Sequence, residues 1–216
     1  MNSATRRILI LGAGTFAQAM ADSISEIEGT EVVGFVDIRG YRERDERIAG
    51  LPVLQVSDLG PMAGTHELIF GIGTTRRAGY LKQLAAYAFR FATLVHPTAY
   101  VAPTASVGEG TFVAEGVIVA PYTRIASHVT LNRGATIGHH ARVGSLTMIG
   151  PGANIAGNME IGAGVYVGIG ATIIDHIAVG DDAVVGAGAV VVRDVASATQ
   201  VVGVPARVVR TNIEGK

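Results

Sequence analysis

Ile125-Ala-Ser-His-Val-Thr130, Leu131-Asn-Arg-Gly-Ala-Thr136 and Ile137-Gly-His-His-Ala-Arg142 are three consecutive hexads that each open on an aliphatic residue. A step of six from Val95 to Val191 lands on 17 positions, and every one is aliphatic. The second place of the hexad is Ala or Gly in 13 of the 17, and the fifth is small or β-branched everywhere except Met159. A helix cannot use this period, because six residues at 3.6 per turn rotate the buried face by about 240°. A short strand followed by a corner can. Each hexad then supplies one flat side with its aliphatic residue inward, and three sides close an 18-residue coil stacked ~4.8 Å from the next. The spacing predicts a left-handed parallel β-helix over residues 95–196, with the small second-place residue easing the corner. Its 102 residues make between five and six coils without an inserted loop.

The chain before Val95 follows another pattern. Arg6–Leu11 reads as a buried strand, Gly12-Ala13-Gly14-Thr15-Phe16-Ala17 as a glycine-rich turn, and Phe16–Ile27 as a helix. Strands are expected over Val32–Asp37, Leu68–Ile72 and Phe91–Val95, with a helix over Arg76–Ala88 and a charged, solvated loop over Arg39–Arg47. Residues 1–94 are thus a Rossmann-like α/β half unit, and residues 197–216 a C-terminal tail. The GxGxxA turn follows a strand, and Asp37 closes the next strand 23 residues after Gly14. Gly12 and Gly14 would let backbone amides approach phosphate oxygens at a helix N-terminus, while Asp37 could accept from a ribose hydroxyl or a base N–H. A full dinucleotide fold needs about twice this length, which favours a mononucleotide or a nucleotide-sugar over NAD.

Composition narrows the classes further. Charged residues are 16% of the 216, glycines number 29 and mean hydropathy is +0.39, which excludes a disordered chain. No apolar run approaches the ~18 residues of a membrane span, and the short Ile8–Leu11 run does not make a secretory signal, so a cytoplasmic protein is expected. The absence of cysteine removes thiolate metal sites and any cysteine acyl-enzyme. A net charge of −1 with two lysines gives no footprint for nucleic acid.

Among six histidines, His139 and His140 take the third and fourth places of their hexad, on a corner where side chains point outward. The coil period stacks His139 over Gly157 and Asp175, and His140 over Asn158 and His176. That column admits a rival chemistry, a γ-carbonic-anhydrase-like zinc hydratase using His140 and His176. Its third ligand position falls on Asp181, and two histidines two coils apart, ~9.6 Å, cannot both reach one ion at ~2.1 Å without a neighbouring chain. No metal is expected. A non-catalytic nucleotide-sugar-binding trimer is the other alternative.

The glycine turn, Phe35-Val36-Asp37, Ile72-Gly73, His96-Pro97, Asn132, His139, Ala156-Gly157-Asn158 and Gly203-Val204-Pro205-Ala206-Arg207 together resemble the bacterial sugar O- and N-acyltransferases. These include sialic acid O-acetyltransferases and UDP-4-amino-sugar N-acetyltransferases. The resemblance implies a cytoplasmic homotrimer of surface-glycan biosynthesis, with acetyl-CoA in the groove between two β-helices and a nucleotide-sugar on the N-terminal unit. It implies His139 as general base and the Gly157 amide as oxyanion donor, and a neutral His140 beside the base could orient it. Coenzyme contacts fall near Gly168, Ile169 and Ala187, with Pro205 and Arg207 at its nucleotide end. Gly12, Gly14, Asp37, Gly73 and Asn132 fall on the substrate side. Three positions depart from the family pattern: His140 replaces an acidic residue, Met148 replaces a second histidine, and Phe16 replaces a histidine of the glycine turn. With no cysteine, direct acyl transfer in a ternary complex is expected.

Overall fold

A computed structural model describes residues 5–42 and 46–216. Residues 43–45 of the charged loop lie outside the described residues. The chain forms two compact units. One comprises residues 1–73 and 78–97, the other residues 74–77 and 98–216.

The first unit is a six-stranded sheet. Its strands are β1 (Arg6–Leu11), β2 (Thr30–Asp37), β3 (Arg47–Ile48), β4 (Leu51–Gln55), β5 (Glu67–Phe70) and β6 (Arg90–Phe91), in the order β3-β4-β2-β1-β5-β6. All neighbours are parallel except the β3–β4 pair. Ile8, Leu9, Ile10 and Leu11 are fully buried, as a central parallel strand covered on both faces requires. The first helix, α1, runs Thr15–Ser25 and the second, α2, runs Ala78–Leu84. The β3–β4 hairpin is absent from the sequence reading. Its turn residues Ala49 and Gly50 both have positive φ, 49° and 79°, as a tight two-residue hairpin demands.

The expected start of α2 at Arg76 is corrected. Thr74–Arg77 cluster with the second unit, where Arg77 is buried and donates to Thr130 Oγ1 at 3.2 Å and to the carbonyls of His128 and Leu146 at 2.8 and 2.9 Å. Burial pushes this guanidinium down to about 10.

The second unit is a left-handed parallel β-helix. Sixteen two-residue strands recur every six residues from Tyr100–Val101 to Val190–Val191, and each of the first thirteen, through Thr172–Ile173, pairs in parallel with the strand 18 residues on. They form three faces, opened by Tyr100, Ser106 and Phe112. Every first-place residue from Val113 to Val191 is buried. Val95 is exposed and Val101 and Val107 are half-buried, because a terminal coil has a stacked neighbour on one side alone. Threonines at the fifth place tie coils together: Thr147 Oγ1 donates to the Gly162 carbonyl at 2.8 Å and accepts from Val165 N–H at 3.1 Å.

The corners differ from the expectation in one respect. Left-handed backbone sits at the fourth place of the hexad, at Tyr122, His128, Gly134, His140, Leu146 and onward. The second place is small for another reason. A Cβ on Gly162 would lie 2.3 Å from Asp181 Oδ1 and 2.7 Å from its backbone N, so close stacking of the next coil, not positive φ, excludes bulk there. The expected tail is also corrected. Gln200–Val202 continues the ladder beside Val184–Val185, and Arg207–Arg210 pairs antiparallel with it.

Candidate active site

Two sites emerge, one in each unit. In the first unit, the ends of β1, β2 and β5 enclose a cavity of about 250 Å³ lined by Gly12, Gly14, Asp37, Arg42, Gly71 and Gly73, among others. It lies at the switch point of the sheet, where β1 is flanked by β2 and β5 and the connections leave in opposite directions. The glycines divide by cause. Gly12 has φ +124°, and a Cβ there would meet Ile72 Cγ2 at 2.8 Å. Gly71, which the sequence reading missed, would collide with Ile10 Cγ2 at 2.3 Å. Both serve the turn itself. Gly14 and Gly73 have nothing within 4 Å of such an atom, so their bareness leaves open space at the cavity.

Asp37 is where the sequence places it, buried at the end of β2, yet its carboxylate is already engaged. Oδ1 accepts from the N–H groups of Arg39 and Gly40 at 3.1 Å, and Oδ2 from Arg42 N–H at 2.6 Å. The Arg42 side chain then bridges the Ala13 carbonyl at 2.9 Å and the Glu46 carboxylate at 2.6 Å. Asp37 therefore shapes the loop that walls the cavity.

In the second unit, Tyr122, His140, Asn158 and His176 form one left-handed edge of the prism, following the Tyr100 face. His139 and His140 are both exposed, and their Nδ1 atoms are 3.1 Å apart. A Cβ on Gly157 would lie 2.8 Å from His139 Cε1 and 2.9 Å from Nε2, so the imidazole rests directly over the bare backbone of the next coil. In the ladder, Gly157 offers its carbonyl to His176 N–H at 3.4 Å, while its own N–H takes no backbone partner among the described residues.

Gly168, Ile169, Ala187 and Asn132 are not brought to His139. They stand on the opposite edge of the same face, where the left-handed places are Gly116, Gly134, Gly152, Gly170 and Gly188. Gly168 packs on Ala187, whose N would be 2.5 Å from an added Cβ. Ile169 is exposed, and Asn132 caps its own corner by accepting from Arg133 N–H at 2.9 Å. Pro205 and Arg207 are exposed at the hairpin beyond the last coil, and Arg207 turns back to the Ala206 carbonyl at 2.9 Å. Met148 is buried. Among the described residues no cluster of three His, Cys, Asp or Glu side chains could hold a metal ion.

The family model of the PglD N-terminal domain matches residues 7–77. A variant of perosamine N-acetyltransferase from Caulobacter crescentus, in complex with CoA and GDP-perosamine, is 30% identical with a TM-score of 0.86, the match covering 96% of this chain and 98% of that one. The chain belongs to the hexapeptide-repeat sugar acyltransferases. This acyltransferase is also similar to the acetyltransferase domain of PglB from Neisseria gonorrhoeae FA1090 in complex with acetyl coenzyme A, at 28% identity over 95% of this chain and 100% of that one, TM-score 0.86. WeeI from Acinetobacter baumannii AYE shares the fold at 24% identity, TM-score 0.79, over 95% and 100% of the two chains. No curated protein sequence matches the acyltransferase.

Proposed function

We propose that this acyltransferase moves an acetyl group from acetyl-CoA to the amine of a nucleotide-linked amino-sugar, with His139 as general base. The observation that carries the reading is the exposed His139 imidazole, held by His140 and seated over Gly157. The acceptor nitrogen attacks the thioester carbon, and a C–N bond forms. His139 Nε2 takes the amine proton, because Nδ1 faces His140. The Gly157 N–H, which has no backbone partner among the described residues, serves as the oxyanion donor. Collapse then breaks the C–S bond, and the coenzyme thiolate leaves and recovers a proton. General-base catalysis contributes typically ~10²–10⁴ in rate, and one oxyanion donor about 3 kcal/mol.

The nucleotide-sugar belongs in the first unit's cavity, where Gly14 and Gly73 leave room and the start of α1 offers its N–H groups to phosphate. GDP-perosamine in the Caulobacter relative supports this class of acceptor. The active form is a homotrimer. In support, the His139 edge and the Gly168–Ala187 edge stand on opposite sides of one face, so a coenzyme laid along the prism touches both sets where two prisms meet. Pro205 and Arg207 lie at the nucleotide end of that coenzyme. The setting is the cytoplasmic side of surface-glycan synthesis. Thiol release from acetyl-CoA, screened against nucleotide amino-sugars beginning with GDP-perosamine, tests the reading. His139→Ala should fold, still bind acetyl-CoA and lose ~10² or more in kcat. A variant with undiminished kcat would refute His139 as the base, and sedimentation at micromolar concentration showing only a 22.3 kDa particle would refute the trimer.

A further inference from the structure

Tyr122 has no part in the chemistry above, yet it occupies the place one coil before His140. Its ring centroid lies 4.8 Å from that of His140, the planes inclined by 33°. His140 meets His139 edge-on, at 5.2 Å and 86°, with the Nδ1 atoms 3.1 Å apart. Glycine would hold the left-handed backbone of Tyr122 and His140, φ 63° and 58°, without strain, as it does at five places on the opposite edge. The side chains are therefore kept for what they touch.

The proton inventory decides what that is. Between two neutral imidazoles at this distance, one Nδ1 donates and the other accepts. With the hydrogen on His140, His139 Nδ1 becomes the acceptor and its Nε2 carries the ring hydrogen, leaving no lone pair for an incoming amine. With the hydrogen on His139 Nδ1, His140 accepts through its own Nδ1 and keeps its hydrogen on Nε2. Only this second arrangement leaves His139 Nε2 basic.

We propose that His140 is a positioning residue that holds His139 in the Nδ1–H tautomer by accepting from it, and that the Tyr122 ring is the platform that fixes the plane of His140. The inference rests on the reading of His139 as the base. A neutral imidazole thus takes the orienting role that carboxylates fill for histidines in many sites, and it depends on ring orientation as a carboxylate, with two equivalent oxygens, does not. That dependence explains a stacked aromatic on an exposed corner.

Two measurements on the full-length protein test this. Long-range ¹H–¹⁵N correlation of the histidine rings, in their deprotonated form, should show His139 with its hydrogen on Nδ1 and His140 with its hydrogen on Nε2; the reverse pair overturns the proposal. In the acetyl-CoA assay, Tyr122→Ala should lower kcat about tenfold with the acetyl-CoA KM unchanged, and Tyr122→Phe should restore it, since the ring and not the hydroxyl is used. Unchanged kcat in Tyr122→Ala, alongside an inactive His139→Ala, overturns the platform while leaving the base in place. An active His139→Ala removes the base assignment and this inference with it. Should Tyr122→Ala fail to fold, the wild-type tautomers still decide.

Discussion

A methyl group at position 157 should separate stability from catalysis. Carbon atoms in ordinary contact lie ~3.5 Å or more apart, whereas a Cβ on Gly157 would stand 2.8 Å from His139 Cε1. Gly157→Ala must therefore displace the imidazole by ~0.7 Å. The obstructing atom is the end of an exposed side chain, and Gly157 is not among the positive-φ glycines, so the coil accommodates the change with a stability difference below ~1 kcal/mol. Catalysis has no such latitude, since a misplacement near 1 Å can cost ~10² in rate. The main-chain N–H survives the substitution, so the loss comes through the ring. We expect kcat to fall ~10- to 100-fold while the melting temperature stays level or rises slightly. Gly138→Ala is the contrast: its Cβ would lie 2.4 Å from the Ala156 carbonyl carbon, where nothing can move aside, and stability should drop. Steady-state thiol release and thermal unfolding on both variants give the answer. A folded Gly157→Ala enzyme with wild-type kcat would mean that the His139 ring does its work elsewhere or not at all.

Gly162→Val should lower unfolding free energy by roughly 1–3 kcal/mol through overpacking against Asp181; denaturant titration reads this, and an unshifted midpoint refutes the stacking argument. Asp37→Ala releases three backbone N–H groups and should slacken the cavity wall, raising the nucleotide-sugar KM ~10- to 100-fold, as loss of 1.5–3 kcal/mol implies, with the acetyl-CoA KM unmoved. An unchanged sugar KM would detach the cavity from the acceptor. Glu67 pairs with Arg6 through bonds of 2.9 and 2.7 Å, which hold its carboxyl below the usual range. The stabilisation is thus full above the unfolded value of ~4.3 and disappears as pH falls through the lower folded value. Glu67→Gln should flatten the acid side of the stability profile, and a profile of unaltered slope below pH ~4 would count against the pairing.

The β-helix was legible because a period of six leaves one architecture open, and inward and outward places follow from it. The causes at its corners were less so. Glycine recurs at both the second and fourth places, for close coil contact and for left-handed backbone respectively, and only inter-coil distances tell the two apart. A signal for the second cause was present, since Asn158 and Asp182 share the fourth place with seven glycines and tolerate that conformation. The hairpin at Ala49-Gly50 was obscured by the charged residues before it. The place of Asp37 at the end of β2 is readable from the sequence, but the engagement of its carboxylate by three backbone N–H groups depends on the path of residues 39–42, which no spacing specifies. Arg77 defied expectation most, because a charge beside a helix start ordinarily faces water, and its three oxygen acceptors come from residues 51 to 69 positions away.

The edge bearing Tyr122, His140, Asn158 and His176 carries a thermodynamic liability that its glycine counterpart lacks. Left-handed backbone costs a residue with a Cβ on the order of 1 kcal/mol, less for asparagine, so four in a column forgo ~3–4 kcal/mol against a typical net stability of 5–15. Heat-resistant variants recovered by screening for survival alone should therefore collect glycine substitutions along this edge, and gains at Tyr122 and His140 would be taken from turnover. Engineering for robustness is better directed to the Ser106 face, whose outward Arg124, Arg142 and Glu160 can be exchanged without touching a corner.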